Sequence, residues 1–320
     1  MATGSTVWLS GLQALPNEEP GKFLSRIWGR SRHLWLPAED DLDVAGRLLG
    51  FGGRLPAAAL LAESEGIRTR GYWVWALEPV IFQGGAGRAI LAPVSSCPGT
   101  EAELALFHVA QQELEGGPWH LARGRERWYL LSTEHPDLRT APPVSLYGRE
   151  PLGREPRGLD ASRYSALANR LQMALLAHSI NQAREREGLD PWGLFWPWGE
   201  GRLPETPPAT PWQTIHSRRR ELLAAGLWLN IPVLGDRPAA GAERLLWDYA
   251  SPWHLPDTAA NFATWFRHWT GRQTEEIRLL TGLLPQGGVE CALWRPHYAW
   301  RFWCASLRPG SRNARPGNWA

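Results

Sequence analysis

The apolar residues of this chain recur at both strand and helix spacings. Short apolar or β-branched runs bounded by Gly, Pro or Asn predict strands at 6–15, 71–82, 88–94, 127–132, 194–198, 227–234, 244–249 and 288–294. Apolar positions three and four residues apart predict helices at 40–50, 55–64, 100–115, 160–188, 214–225 and 258–280. Gly84 and Gly85 separate two of the strands and predict a hairpin. Strands that alternate with helices in the second half indicate βαβ connections and a parallel sheet.

The segment 140–158 is rich in Pro, Gly and Arg and has little periodicity, so it predicts a linker or a long crossing loop. Asp160 then stands where a helix cap is expected. These signals predict an N-terminal α/β region with a β-hairpin over 1–150, a second α/β region over 151–309, and a flexible tail over 310–320.

Composition narrows the class of protein. Hydrophobic residues are 43% and charged residues 21% of the 320 residues, which is typical of a globular protein. A net charge of +2 argues against a nucleic-acid partner, and the absence of a long apolar run argues against a membrane span. Three scattered cysteines do not predict disulfides or a cysteine zinc site, and residues 1–20 do not resemble a signal peptide. We therefore expect a soluble, cytoplasmic protein.

Tryptophan is unusually frequent, with 20 residues in the chain. Clusters occur at Trp192, Trp196 and Trp198, at Trp265 and Trp269, and at Trp294, Trp300 and Trp303. Because these residues stand in apolar stretches, we predict core packing rather than carbohydrate or nucleobase binding. A structural or interaction protein that uses a tryptophan-rich surface stays an alternative.

Candidate chemistry is concentrated in the middle of the chain. His178, Asn181 and Arg184 are three residues apart, so neighbouring helix turns could direct an imidazole, an amide and a guanidinium at an anion. The alternative is a solvated helix end whose arginines pair with Glu185 and Glu187. Gly199 and Gly201 could form a phosphate-accepting turn, or only a tight turn.

The same residues belong to a pattern of about 25 residues. The segment from His178 to Pro191, followed by Phe195-Trp-Pro-Trp-Gly-Glu-Gly, resembles the HPVN-x-x-R-x-x-x-G-x-x-P-x-N-x-x-W-L-W-G-x-G pattern of archaeal-type cofactor-independent phosphoglycerate mutases. Ser179 replaces the proline, Trp192-Gly193 replaces the stretch that ends in asparagine, and Pro197 replaces the central leucine. Because proline cannot donate a hydrogen bond, Pro197 predicts a strand end or an edge strand.

A second resemblance covers most of the chain. It is to bacterial RpfE-type regulatory proteins, which are often labelled cofactor-independent phosphoglycerate mutases. The residues that carry it are Trp75, Glu78-Pro79-Val80, Arg127 to Leu130, Gly148-Arg149, and Asn169 to Met173.

The resemblance to the mutases implies a divergent alkaline-phosphatase-like α/β fold, with a mostly parallel sheet flanked by helices and an inserted region that contains the hairpin. It also implies a serine or threonine nucleophile activated between two metal ions about 4 Å apart. The family's first metal-binding aspartate has no counterpart here, because the corresponding residues are Leu9-Ser10-Gly11. Ser10 is a candidate nucleophile.

Other metal ligands of the family have incomplete matches. Asp248, His254 and Asp257 follow an apolar run as the family's ligands do, but their spacing differs. His297 stands beside Arg295, and an arginine in a ligand position would repel a divalent cation. His254 and His297 are also explained as ordinary loop histidines.

These observations favour a mutase-like binding or regulatory module without metal-dependent catalysis and without a cofactor. Its expected partner is a small phosphorylated or carboxylated metabolite, bound by His178, Asn181, Arg184, Gly199 and Gly201, or another protein. The alternative is an active phosphoglycerate mutase or related phosphatase. That alternative requires a divalent metal, manganese or zinc, held by Asp248, His254, Asp257 and His297.

Overall fold

Strands and helices are both present in the part of the chain that the computed structural model describes, which is residues 5–9, 27–85, 88–235, 244–248, 266, 277–281 and 288–294. The strands are β1 (Thr6–Trp8), β2 (Arg32–Leu36), β3 (Trp73–Gly85), β4 (Arg88–Pro93), β5 (His120–Arg123), β6 (Trp128–Ser132), β7 (Phe195–Gly201), β8 (Thr214–His216), β9 (Val233–Leu234), β10 (Leu245–Asp248), β11 (Ile277–Leu280) and β12 (Val289–Trp294). The helices are α1 (Asp41–Leu48), α2 (Ala57–Ser64), α3 (Thr100–Leu114), α4 (Ala161–Leu176), α5 (Ser179–Arg186) and α6 (Arg220–Leu229), with a 3₁₀ turn at Pro143–Ser145. None of the described helices is long and apolar enough to cross a bilayer.

The chain divides into two compact units. The parallel-sheet unit takes the described residues within Met1–Val44, Thr210–Arg218 and Ile231–Ala320, and the antiparallel-sheet unit takes those within Ala45–Ala209 and Arg219–Asn230. Residue 150, where the sequence predicts a boundary, lies inside the antiparallel-sheet unit. The segment 140–158, predicted to be a linker or a long crossing loop, is a long loop of that unit that contains the 3₁₀ turn.

Seven strands form the sheet of the parallel-sheet unit, in the order β2-β12-β11-β1-β10-β8-β9. Strands β11, β1, β10, β8 and β9 are parallel, whereas β12 and β2 are antiparallel to their neighbours. Val7, Leu245 and Leu279 belong to one apolar cluster that also contains Phe266. The predicted fold class, α/β with a mostly parallel sheet, is confirmed.

Strand β3 organises the second sheet, which is antiparallel. It pairs with β4, β6 and β7, and β5 extends the sheet from β6. The pairing of β3 with β4 confirms the predicted hairpin, but Gly84 and Gly85 lie in β3, paired with Ala89 and Arg88, rather than in the turn. Strand β7 pairs only with β3 among the described strands, so Pro197 lies on an edge strand, as one of its two interpretations predicted. The expectation that this strand joins a parallel sheet was wrong.

One face of the antiparallel sheet carries a large aromatic core. Trp75, Trp128 and Phe195 pack there against α3 and α4. The rings of Trp128 and Trp192 meet edge to face with centroids 4.7 Å apart, and those of Trp128 and Phe195 stack at 4.9 Å. Trp192, Trp196 and Trp198 are all buried, as predicted. The other tryptophans of the predicted clusters lie outside the described residues, except Trp294, which packs against the core of the parallel-sheet unit.

Several helices and strands predicted for the C-terminal half of the chain were wrong. The predicted helix at 214–225 begins as strand β8, and the helix proper occupies Arg220–Leu229. The predicted strand at 227–234 starts in that helix, which ends at Asn230 in the left-handed conformation, φ 55°. Ile277–Leu280 is a strand rather than a helix end. The edge strand β2 was not predicted, because its sequence, RHLWL, does not alternate apolar and polar residues.

The second face of the antiparallel sheet is held to α2 by hydrogen bonds. Glu65, which caps the C-terminus of α2, accepts a 2.6 Å bond from the Tyr129 hydroxyl and a 3.1 Å bond from the Glu126 N–H. Arg127 lies 3.9 Å from the same carboxylate, and its guanidinium is 6.0 Å from the ring centre of Trp198. The turn between β5 and β6 is therefore fixed to the end of one helix.

Buried tyrosines make the stability of this unit depend on alkaline pH. Burial raises the pKa of Tyr129 and Tyr164 well above the ordinary value and that of Tyr147 to about 12, and the bond to Glu65 raises that of Tyr129 further. Because the folded protein holds these protons more tightly, the stabilisation is complete below the ordinary tyrosine pKa of about 10 and is lost as pH rises above it. We expect the free energy of unfolding to fall from about pH 10 upward.

Tyrosinate absorbance measured beside circular dichroism checks this expectation. Tyr129 and Tyr164, which are buried, should titrate together with the unfolding transition. Tyr129→Phe should make the decline of stability above about pH 10 less steep. Ionisation of every tyrosine before any loss of structure would contradict the expectation.

Candidate functional site

The carboxyl ends of the parallel strands bring polar residues to one edge of the sheet. In sheets of this type, ligands bind beyond the carboxyl ends of the strands. Asp248 is the last residue of β10, Ser217 directly follows β8, and Thr281 directly follows β11. Asp248 also lies in register with Trp8 at the end of β1, where Leu9 and Ser10 follow in sequence. This edge is the best candidate for a functional site.

Asp248 and Ser217 form a buried pair at this edge. The Ser217 hydroxyl donates a 2.9 Å hydrogen bond to Oδ2 of Asp248, and the two residues are 3% and 6% exposed, respectively. The Ser217 N–H donates to the Leu234 carbonyl at 3.0 Å, which fixes the position of the serine. Burying a carboxylate costs free energy unless it is hydrogen-bonded, so the bond from Ser217 stabilises Asp248 at this edge.

Arg218 adds a positive charge next to this pair. Its side chain is exposed, and Nε donates to the Gly235 carbonyl at 3.2 Å. Among the described residues, no carboxylate forms an ion pair with Arg218. The edge therefore offers a buried hydrogen-bond acceptor in Asp248 and a guanidinium able to bind a carboxylate or a phosphate.

Two other polar residues at the edge have structural roles. The Thr281 hydroxyl accepts a 3.0 Å bond from the Glu290 N–H, so it joins β11 to β12. His216 is buried and lies in register with Trp247, on the opposite face of the sheet from Asp248. Sequence reasoning missed Ser217, Arg218 and His216 because they stood inside the predicted helix at 214–225. The β-branched pair Thr214-Ile215 was the signal that could have identified the strand.

The predicted metal ligands do not form a centre in the described part of the chain. Asp248 is the only predicted ligand among the described residues, whereas Ser10, His254, Asp257 and His297 lie outside them. Among the described residues, no group of three or more His, Cys, Asp or Glu side chains is close enough to hold a metal ion.

The mutase-like segment lies in the antiparallel-sheet unit, where His178 is the N-cap of α5, Asn181 lies in its first turn and Arg184 in its last turn. Nδ1 of His178 accepts a 3.3 Å bond from the Ile180 N–H and so caps the helix. Asn181 is completely buried: Nδ2 donates to the carbonyls of Leu175 at 2.8 Å and Trp192 at 3.2 Å. Its Oδ1 accepts from the Trp192 N–H at 2.8 Å. The amide therefore joins the end of α4 to the loop before β7.

Arg184 connects the loop before β7 to the loop that contains Ser96. Its Nε donates to the Asp190 carbonyl at 3.0 Å, and Nη2 donates to the carbonyl of Ser96 at 2.5 Å and to its hydroxyl at 3.2 Å. Asp190 in turn accepts a 2.8 Å bond from the Ser95 N–H. Hydrogen bonding from Ser95, with a smaller contribution from Arg184, lowers the pKa of Asp190. As ligand-binding residues, His178, Asn181 and Arg184 stay a prediction; the contacts seen here are structural.

Gly199 and Gly201 lie within strand β7 and pack against the start of α2. A Cβ atom at Gly201 would lie 2.5 Å from Cβ and 2.6 Å from Cα of Pro56. At Gly199, φ is +70°, and a Cβ atom would lie 3.0 Å from the Ala58 nitrogen. Close approach of helix and strand accounts for both glycines, and their predicted role in binding phosphate stays a prediction.

No protein-family model matches the chain, and no curated protein matches it. Two solved structures are similar to it in fold at low identity. The first is a cofactor-independent phosphoglycerate mutase from Thermoplasma acidophilum, with 15% identity, a TM-score of 0.41, and coverage of 92% of this chain and 90% of that one. The second is the PH0037 protein from Pyrococcus horikoshii, with 11% identity, a TM-score of 0.47, and coverage of 92% and 88%.

Proposed function

We propose that the chain is a divergent phosphoglycerate-mutase-like protein that acts by binding a small phosphorylated or carboxylated metabolite, without metal-dependent catalysis. The observation that carries the proposal is the Asp248–Ser217 pair beside Arg218 at the carboxyl edge of the parallel strands. Arg218 would bind the anionic group, and Asp248 would accept a hydrogen bond from a hydroxyl of the ligand. A metabolite with both groups, such as a phosphorylated hydroxy acid, suits this pair.

Two features of the sequence support the same proposal. The pattern from His178 onward resembles the mutase pattern, whereas Leu9-Ser10-Gly11 provides no carboxylate where the mutases have their first metal ligand. The resemblance to bacterial RpfE-type proteins is the reason for proposing a regulatory role. We also propose a cytoplasmic location, which the exposed free thiol of Cys97 supports.

Isothermal titration calorimetry with 3-phosphoglycerate tests the proposed site. Arg218→Ala is expected to weaken binding by about tenfold or more, because an interaction with a charged group contributes about 1.5–3 kcal/mol. It should leave stability unchanged within about 0.5 kcal/mol, since the side chain is exposed. The matched control is Arg154→Ala, which removes an exposed arginine from the antiparallel-sheet unit and should change neither quantity.

Arg184→Ala separates this site from the one predicted from the sequence motif. If Arg184→Ala abolishes binding under conditions where the variant is folded, and Arg218→Ala does not, the ligand binds at the His178 segment. If neither variant changes the affinity for 3-phosphoglycerate, or if the ligand does not bind at all, the proposed function is wrong.

An active metal-dependent mutase or phosphatase is the second candidate. The observation that favours it is the buried carboxylate of Asp248 at a carboxyl strand end, where the resemblance predicts a metal ligand. Mass spectrometry of protein expressed with manganese and zinc, and desalted without chelator, distinguishes the candidates. About two tightly bound ions per chain, lost in Asp248→Ala, would favour the enzyme. We expect no stoichiometric metal.

A further inference from the structure

Among the described strands, none pairs with the outer edge of strand β2. Strand β2 stands at the end of the seven-stranded sheet, and β12 is the only described strand that pairs with it. Four of its five residues are exposed, including Leu34 at 40% and Trp35 at 49%. A strand at a sheet edge presents unpaired backbone N–H and C=O groups to any extended chain that approaches it.

The two edges of this sheet are built differently. The opposite edge strand, β9, has only two residues and directly follows Pro232, so it offers little backbone for pairing. Strand β2 has neither a proline nor a lysine, its pairing register with β12 is continuous over five residues, and it carries exposed aliphatic and aromatic side chains. Strand β2 therefore offers a longer and more apolar edge than β9 does.

The charges around β2 define the kind of chain that would fit. Arg30 and Arg32 are exposed, and neither forms an ion pair with a described residue. The nearest acidic residue on the adjacent strand, Glu290, is engaged by Nδ1 of His33 at 2.6 Å. The edge is thus basic at its N-terminal end and apolar at Leu34 and Trp35.

We propose that β2 is a docking edge for an extended acidic peptide segment of a protein partner. The segment would add a strand to the sheet, place carboxylates near Arg30 and Arg32, and lay an apolar side chain against Leu34 or Trp35. Backbone hydrogen bonds supply the affinity in this mode of recognition, and the side chains supply the selectivity. A five-residue edge buries far less than the roughly 1,000 Å² expected of a stable interface, so a peptide fits it better than a second copy of the chain.

Fluorescence anisotropy of the full chain with two labelled peptides tests the proposal. One peptide alternates Glu and Val over about ten residues, and the other alternates Lys and Val. We expect the Glu peptide to bind and the Lys peptide to bind about tenfold more weakly or not at all. The double variant Arg30→Glu/Arg32→Glu should invert this preference. The matched control, Arg149→Glu/Arg154→Glu, reverses two exposed arginines of the antiparallel-sheet unit and should preserve it.

Equal binding of both peptides, or no binding of either at millimolar concentration, overturns the proposal. A concentration-dependent dimer in sedimentation velocity that Arg30→Glu/Arg32→Glu abolishes would also overturn it, because the occupant would then be a second copy. These outcomes are independent of 3-phosphoglycerate binding, which depends on Arg218. Circular dichroism of each variant checks that the substitutions leave the fold intact.

Discussion

Asn181→Ala is expected to lower the free energy of unfolding by about 3 kcal/mol. The side chain is fully buried, and its amide makes hydrogen bonds to Leu175 and to both backbone groups of Trp192. Alanine removes the amide and leaves those backbone groups buried without partners, and each such group costs about 1–3 kcal/mol. Because Trp192 belongs to the aromatic core, the loss should extend to the packing of α4 against the sheet. Urea unfolding followed by tryptophan fluorescence measures it.

Gln182→Ala is the matched control for this experiment. Gln182 is the next residue on α5, but it is exposed, and its amide donates only to the Ala177 carbonyl. Its replacement should change stability by about 0.5 kcal/mol or less. If Asn181→Ala were as stable as the control yet failed to bind 3-phosphoglycerate, Asn181 would be a ligand residue and its structural role would be secondary.

Gly201→Ala should destabilise the protein by about 3 kcal/mol. The added methyl group would overlap Pro56, and the atoms it meets include the Cα of that residue, so rotation of a side chain cannot relieve the contact. Helix α2 would have to move away from β7. Chemical unfolding measures the effect, and a shift of the amide signals of α2 in NMR spectra would locate it.

Gly84→Ala provides the comparison, because nothing lies within 4 Å of the position where its Cβ would stand. We expect it to be neutral or slightly stabilising, since alanine restricts the unfolded chain more than glycine does. A Gly201→Ala protein with normal stability and impaired binding of an anion would instead support the phosphate-accepting turn predicted from the sequence.

Local patterns predicted the antiparallel-sheet unit well. The hairpin around Gly84, the helix after Asp160 and the strand that ends at Ser132 are all present, because each is marked by its own turn residues or helical spacing. Asp160 stands at the cap position, but its carboxylate accepts from the Asp137 N–H instead of the helix. Such long-range bonds have no local sequence signal.

The parallel-sheet unit was harder to predict, since its strands are short and depend on distant partners. Thr214–His216 has only three residues, and helical spacing in the following leucines hid it. The candidate site shares this difficulty. Asp248 was identified through a family resemblance, whereas Ser217 becomes visible only when β8 and β10 are paired. The single helix predicted at 160–188 is two helices, so Asn181 and Arg184 share α5 as predicted but His178 is its N-cap. Spacing alone cannot distinguish an anion site from a set of backbone contacts.

The position of β1 determines when the larger sheet can form during synthesis. Thr6 pairs with Leu246 on one side and with Arg278 on the other, so the strand made first has both neighbours among those made last. Until residues 277–280 have been made, β1 lacks one of the two described strands that pair with it. The residues of the antiparallel-sheet unit are made in between, mostly as one stretch. We therefore expect nascent chains to form the antiparallel-sheet unit before they complete the parallel sheet.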